Sequence, residues 1–236
     1  MKKVMWIISF VSLIVTAVVL QFLPESIPMH QDLSGNIDRW GSRNESLIFP
    51  VIILALSLFW TLFMMYYEKK AKNAPDEKEA AGAKANAKVL GIVGALMAGM
   101  FTVMQFFMLY NSYKAVPGAQ KETMDIGKVS VILMGIVFII AGNFMTKTRI
   151  NGTVGVRVSW SMYNDNTWRK TNRFGSVVLM IIGALTVIAA VFMKSSLAAT
   201  FVGLGLIIAA TVVILIYAHK VYKDEIRTEK EDTKNE

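Results

Sequence analysis

Residues 174–218 read FGSVVLMIIGALTVIAAVFM, then a single Lys194, then SSLAATFVGLGLIIAATVVILIYA. The two apolar runs, Phe174–Met193 and Ser195–Ala218, contain no Asp, Glu, Lys, Arg or His. A helix needs about 20 predominantly apolar residues to cross roughly 30 Å of hydrocarbon. Each run meets that length, and Lys194 marks the connection between them. Backbone N–H and C=O groups in lipid must be satisfied within the segment, so helix is the expected conformation.

Four more uncharged runs precede this pair: Val4–Leu23, Leu47–Tyr67, Val89–Tyr110 and Val129–Thr146. Together they predict an all-α integral membrane protein, a six-transmembrane-helix bundle. Composition agrees, since 54% of the 236 residues are hydrophobic and 18% are charged, against about 25% charged in soluble domains. The first run follows Met1-Lys2-Lys3 but exceeds a signal peptide's ~7–15-residue apolar core and lacks an A-x-A-like site, so an uncleaved helix is expected. The third has grounds to begin early, because Asn73-Ala74-Pro75 suits a helix start and the Ala/Lys/Glu-rich run after it favours helix. The expected organisation is a two-helix unit (1–67) with an outer loop at 24–46, a cytosolic linker or helix extension (68–88), a four-helix membrane unit (89–218) and a charged tail (219–236).

Orientation follows from the distribution of Lys and Arg. The N-terminus, 68–88, 147–173 and the tail hold 19 of the 25, and the three opposite loops hold six. Both termini are therefore expected in the cytoplasm. The net charge of +8 lies wholly on that side. It is read as a topology signal, and no direct nucleic-acid binding is expected.

Small residues recur in the spans, at Gly91, Gly94, Ala95, Ala98, Gly99, Gly135, Gly142, Gly203 and Gly205. They let helices approach closely, within the chain or across a homo-oligomer face. Gln105 and Asn143 are the polar residues expected inside the membrane, each bonding across helices. No ionisable residue lies mid-span, which argues against a proton-coupled transporter. There is no phosphate loop, H-E-x-x-H or G-x-S-x-G pattern and no cysteine. No catalytic constellation, cofactor or metal centre is expected.

Two connections carry patterns. The first outer loop opens with Pro24 and Pro28, which stop the first helix and extend the backbone before each. Gly35-Asn36 between apolar residues suggests a short hairpin, and Trp40 suits the interface. His30, Asp32 and Asp38 could in principle bind a cation, but three donors on one loop without a scaffold point weakly to metal. A rigid turn and a recognition surface for an extracellular peptide are the other readings. The string L-P-x-x-I-P-x-H, then G-x-x-D-x-W-G-S-R, resembles the N-terminal domain of unknown function that accompanies SdpI-type membrane proteins. It is carried by Leu23, Pro24, Ile27, Pro28, His30, Gly35, Asp38, Trp40, Gly41, Ser42 and Arg43.

In the second connection, residues 143–175, Asn164 or Asp165 can cap a helix running into the fifth span. Trp160, Tyr163 and Trp168 are expected as interfacial anchors, and Arg157, Arg169, Lys170 and Arg173 as partners of an anionic leaflet. This stretch resembles the SdpI family's G-x-R-T-P-W and V-W-x-K-T-H-R runs at Asn143, Gly155, Arg157, Trp160, Trp168, Lys170, Thr171, Arg173 and Gly175, with Val158, Ser159 and Asn172 as departures. The charged tail and 68–88 read as solvated helix extensions or disorder, and His219 as an interfacial residue.

The resemblance implies an immunity protein of the cell membrane that confers resistance to a secreted toxic peptide. It also implies a second role, sequestering a cytosolic autorepressor. The implied peptide-facing residues are Pro24, Pro28, His30, Gly35, Asp38 and Trp40. The implied docking residues are Asn143, Gly155, Arg157, Trp160, Trp168, Lys170 and Arg173. Lipid, the toxic peptide and the autorepressor are the implied partners, and a small-molecule or peptide permease is the alternative.

Overall fold

The structure is a computed structural model that describes residues 1–32, 36–115, 124–151 and 154–235. Its helices are α1 (Lys2–Val19), α2 (Ile48–Lys72), α3 (Glu77–Lys114), α4 (Ile126–Met145), α5 (Asp165–Phe192) and α6 (Ser196–Asn235). All six are long and apolar enough to cross a membrane, as in a multi-pass membrane protein. Among the described residues the fold is all-α except for one hairpin, β1 (Ser26–Gln31) with β2 (Ile37–Ser42), on the loop where the turn signal predicts it. Gly35 of that signal lies outside the described residues.

Several helices outrun their apolar segments, α6 and α3 the furthest. At about 1.5 Å per residue, the 40-residue α6 is ~60 Å long, so nearly half of it projects beyond the apolar run ending at Ala218. The tail is therefore helix, not disorder. The 38-residue α3 likewise starts well before Val89. Its N-cap is Asp76, whose carboxylate accepts the Glu79 N–H at 2.7 Å, one residue past the Asn73-Ala74-Pro75 signal.

Outward positions of α1, such as Ile7, Phe10, Ile14 and Val18, are apolar and exposed. Its inward face is Met5, Ser9, Ser12 and Thr16, at alternating three- and four-residue spacing. Lipid removes the hydrophobic drive between helices, so small and hydrogen-bonding residues fill the seam. Ser9 and Ser57 hydroxyls meet at 2.7 Å, and Trp6 Nε1 donates to Thr61 Oγ1 at 3.0 Å. Gln105, fully buried, donates to the Ser46 carbonyl at 3.2 Å and to Thr16 Oγ1 at 3.4 Å, tying α3 to α1 and the entry to α2. This bears out Gln105 as a cross-helix residue. Asn143 does not behave so: its side chain is exposed in the last turn of α4, and among the described residues it makes no cross-helix bond.

The tightest helix contact is α4 on α5. A Cβ on Gly135 would lie 2.7 Å from the Gly183 carbonyl, and one on Gly183 would lie 2.6 Å from the Gly135 carbonyl. Ser176 donates to the Gly142 carbonyl at 2.6 Å beside them. Gly91 and Gly94 meet Met64 and Trp60 of α2. Among the described residues, nothing lies within 4 Å of a notional Cβ on Gly99 or Gly205, so neither marks a close helix contact.

Candidate functional site

The described residues of both patterned connections form caps, one at each end of the bundle. At the first, Leu23 and Ile27 are buried with Leu20 and Leu109 of α3. These apolar motif residues seat the hairpin on the bundle. Strand register pairs Ile27 with Gly41 and Pro28 with Trp40, with irregularities flanking His30. A Cβ on Gly41 would lie 2.5 Å from Glu45 Oε1 and 2.8 Å from Met29, so any larger residue there would have to push these two side chains aside. Ser42 and Glu45 form a capping box, which places one motif position, Ser42, at the start of the turn leading to α2. Arg43 donates to the Leu23 carbonyl at 2.8 Å, and Arg39 pairs with Glu45.

His30 Nδ1 meets Asp38 Oδ1 at 2.6 Å, while Asp32 is engaged by the N–H and amide of Asn36 at 2.8 and 2.9 Å. The three cation candidates therefore do not converge, and no cluster of three metal-ligating residues occurs among the described residues. Pro24 is exposed, Pro28 buried and Trp40 half-buried.

Beside β1 lies a cleft of about 310 Å³. One wall is the consecutive run Pro28–Asp32. The others are Met108 of α3, Asp125–Gly127 and Ser130 of α4, and Ser196, Leu197 and Thr200 of α6. β1 pairs with β2 along one edge only. The amide Nε2 of Gln31, on the cleft wall, is buried and without a partner. Asn111 clamps this end by bonding both backbone groups of Met124, at 2.8 and 2.9 Å. The α4 and α6 contributors were not legible in the sequence, because they are ordinary first-turn residues such as the N-cap Asp125.

At the opposite end, the 147–173 connection is held by its own side chains. Gly155 has φ +116°, a region disfavoured for residues with a Cβ. A Cβ there would sit 2.5 Å from Asn172 Oδ1 and 3.0 Å from Trp168. Asn172, at the position of the family histidine, accepts the Val156 N–H at 2.8 Å and donates to the Trp168 carbonyl at 3.0 Å. Trp168 is 2% exposed and donates to the Thr148 carbonyl at 2.9 Å. It is the core of the loop, not an interfacial anchor. Asn164 caps α5 through the N–H groups of Asn166 and Thr167.

This loop packs on the projecting part of α6. Asn164 and Asn166 donate to the two carboxylate oxygens of Glu225 at 3.0 and 2.6 Å, and Lys170 lies 3.8 Å from it. Tyr163 donates to Glu229 at 2.7 Å, which, with some burial, pushes its phenol above the ordinary range. Trp160 meets the His219 ring edge-on at 4.6 Å, and Tyr163 meets Tyr222 at 5.1 Å. Residues 219, 222, 225 and 229 share one helix face. That spacing was the available signal for Glu225, hidden by the charge alternation around it. Arg157 and Arg173 are exposed at the surface of this cap.

Two family profiles fall on the segments that carry these caps. The profile described as SdpI/YfhL protein family matches residues 147–218. Residues 147–218 thus resemble the SdpI/YfhL family. A second profile, Domain of unknown function (DUF1648), matches residues 7–54, which contain the hairpin. The chain is also similar to "Immunity protein SdpI" of Bacillus subtilis (strain 168), 24% identical across 92% of this chain and 93% of the relative. No solved structure matches. The SdpI/YfhL region thus comprises the loop cap, α5 and the apolar part of α6, and its profile ends one residue before His219.

Proposed function

We propose that this chain is an SdpI-like immunity protein of a bacterial cell membrane, with both termini and the 147–173 cap in the cytoplasm and the hairpin outside. The charge bias of the connections supports the orientation, and the SdpI/YfhL region and the similarity to an immunity protein support the role. A secreted toxic peptide engages the cleft beside β1. The carrying observation is that the last four residues of β1, a strand paired along one edge only, line that cleft together with Asp32, and a buried amide donor, Gln31, is unsatisfied within it. An extended peptide adds to such an edge through main-chain hydrogen bonds, and side-chain pockets supply selectivity. Leu197 and Met108 offer the apolar floor. The 147–173 cap then docks a cytosolic partner, an autorepressor, through the exposed Arg157 and Arg173 beside the Lys170–Glu225 pair.

The test is survival of a toxin-sensitive bacterial strain expressing the chain, with membrane levels measured on the same cells. Wild type is expected to protect. Gln31→Leu, together with a bulky Ser130→Phe in the cleft, is expected to lose protection at unchanged membrane levels. Protection retained by both variants would sink the cleft as the toxin site, and no protection by wild type would sink the immunity role.

A further inference from the structure

A second cavity, of about 450 Å³, lies at the loop end between the end of α2, the start of α3 and residues 149–151. Its depth is set by where the apolar runs stop: Tyr67 ends that of α2, and Val89 begins that of α3. The cavity therefore sits at the level of lipid headgroups.

Some of its charged groups are already engaged. Lys78 pairs with Asp165 at 2.6 Å, and one Asp76 oxygen caps α3. Lys70, Arg149 and Glu79 face the same space and form no ion pair among the described residues. The Arg149 stem is laid over Gly82, 3.7 Å from a notional Cβ, which keeps its guanidinium beside the α3 surface. Asn86 is 3% exposed, lines the cavity, and its Oδ1 has no hydrogen-bond partner. A buried amide left unsatisfied costs free energy, so this one is placed for a ligand.

The lining is neutral overall, with three basic and three acidic residues, and it presents free groups of both signs. A simple anion would use only Lys70 and Arg149. A zwitterion bearing a phosphodiester and a primary ammonium uses all of them. The phosphate lies on Arg149 and Lys70, while the ammonium donates to Glu79 and Asn86 Oδ1. The geometry points to a site for the headgroup of a phosphatidylethanolamine lipid, in the leaflet facing the 147–173 cap. A choline headgroup carries the same charges but has no N–H to give Asn86.

Native mass spectrometry of the full-length chain, released from micelles doped equally with phosphatidylethanolamine, phosphatidylcholine and phosphatidylglycerol, tests this. Phosphatidylethanolamine is expected to be retained about tenfold over phosphatidylcholine, since a charge-assisted hydrogen bond is at stake. Arg149→Ala should lower that retention about tenfold. Asn86→Leu removes an unsatisfied amide without emptying its space, so it should keep or raise the thermal midpoint while abolishing the preference for ethanolamine over choline. Equal retention of the ethanolamine and choline lipids would overturn the site. So would an Asn86→Leu protein that folds and keeps the preference, phosphatidylglycerol retained as well as phosphatidylethanolamine, or binding of soluble phosphoethanolamine that matches the lipid.

Discussion

Glu225→Ala should release the projecting part of α6 from the 147–173 cap while leaving the spans intact. Glu225 accepts from Asn164 and Asn166 at 3.0 and 2.6 Å, and its side chain is 16% exposed. Hydrogen bonds to a charged group contribute about 1.5–3 kcal/mol each, and partial exposure puts these at the low end. Lys170 is half exposed and 3.8 Å away, so its pairing adds well under ~1 kcal/mol. The sum is about 3 kcal/mol of docking free energy, or roughly a hundredfold in the docked-to-free ratio at 1.4 kcal/mol per tenfold. Beyond Ala218 the helix has fewer than twenty residues and few apolar ones, and most helical stability in proteins comes from packing rather than intrinsic propensity. Its amide protection therefore depends on docking. Hydrogen exchange across 221–232 in the full-length protein should accelerate by about thirty- to a hundredfold in Glu225→Ala, and by less in Glu225→Gln, which keeps one carbonyl acceptor. Exchange within α5 and the apolar part of α6 should not change. Unaltered protection of 221–232 in Glu225→Ala would refute the reasoning, because the extension would then be held by something other than this carboxylate.

Three further outcomes follow from the same geometry. Gly155→Ala meets both a φ of +116° and Asn172 Oδ1 at 2.5 Å; strained backbone of this kind costs about 1–3 kcal/mol, so proteolysis between residues 150 and 164 should speed up, and adding Asn172→Ala should relieve only part of it. Gly183→Ala forces a Cβ against the Gly135 carbonyl and should lower stability in detergent by about 1–3 kcal/mol, whereas Gly205→Ala, with nothing within 4 Å, should leave the thermal midpoint unchanged or slightly raised. The Tyr163 phenol, raised by its hydrogen bond to Glu229, should titrate above the ordinary value near 10 by ultraviolet absorbance and return toward it in Glu229→Gln. With the folded pKa raised, its contribution to docking is present in full below about pH 10 and is lost as pH climbs through the folded value.

What the sequence disclosed and what it hid divide along the two solvents the chain meets. Uncharged length fixed the six helices, because hydrocarbon thickness is a one-dimensional constraint that a single run of residues satisfies by itself. The hairpin was equally local, resting on Pro24, Pro28 and the turn signal between apolar residues. The helix seams were not legible by the rule for soluble proteins, where the apolar stripe faces the core. In α1 the rule inverts: Ile7, Phe10 and Ile14 face outward, and Ser9, Ser12 and Thr16 form the seam. The seam then reads as a small-polar stripe, and its partners Ser57 and Gln105 are far away in sequence. Asn143 was misplaced for a related reason. A polar residue near a span end satisfies the membrane constraint by exposure at the boundary as well as by bonding inward, and spacing alone does not separate the two. The water-facing cap failed differently. Trp168 looked like an anchor because tryptophan is enriched at interfaces, yet its N–H found the Thr148 carbonyl and its ring became the core that Gly155 must approach. The tail looked solvated because Glu225 and Glu229 sit among balancing charges. Their role exists only because α6 continues unbroken past Ala218 and brings one face, from His219 to Glu229, over a loop some sixty residues earlier. A site made of such pairings is tertiary information: each half is an ordinary residue until the helix that carries it is known to reach the other.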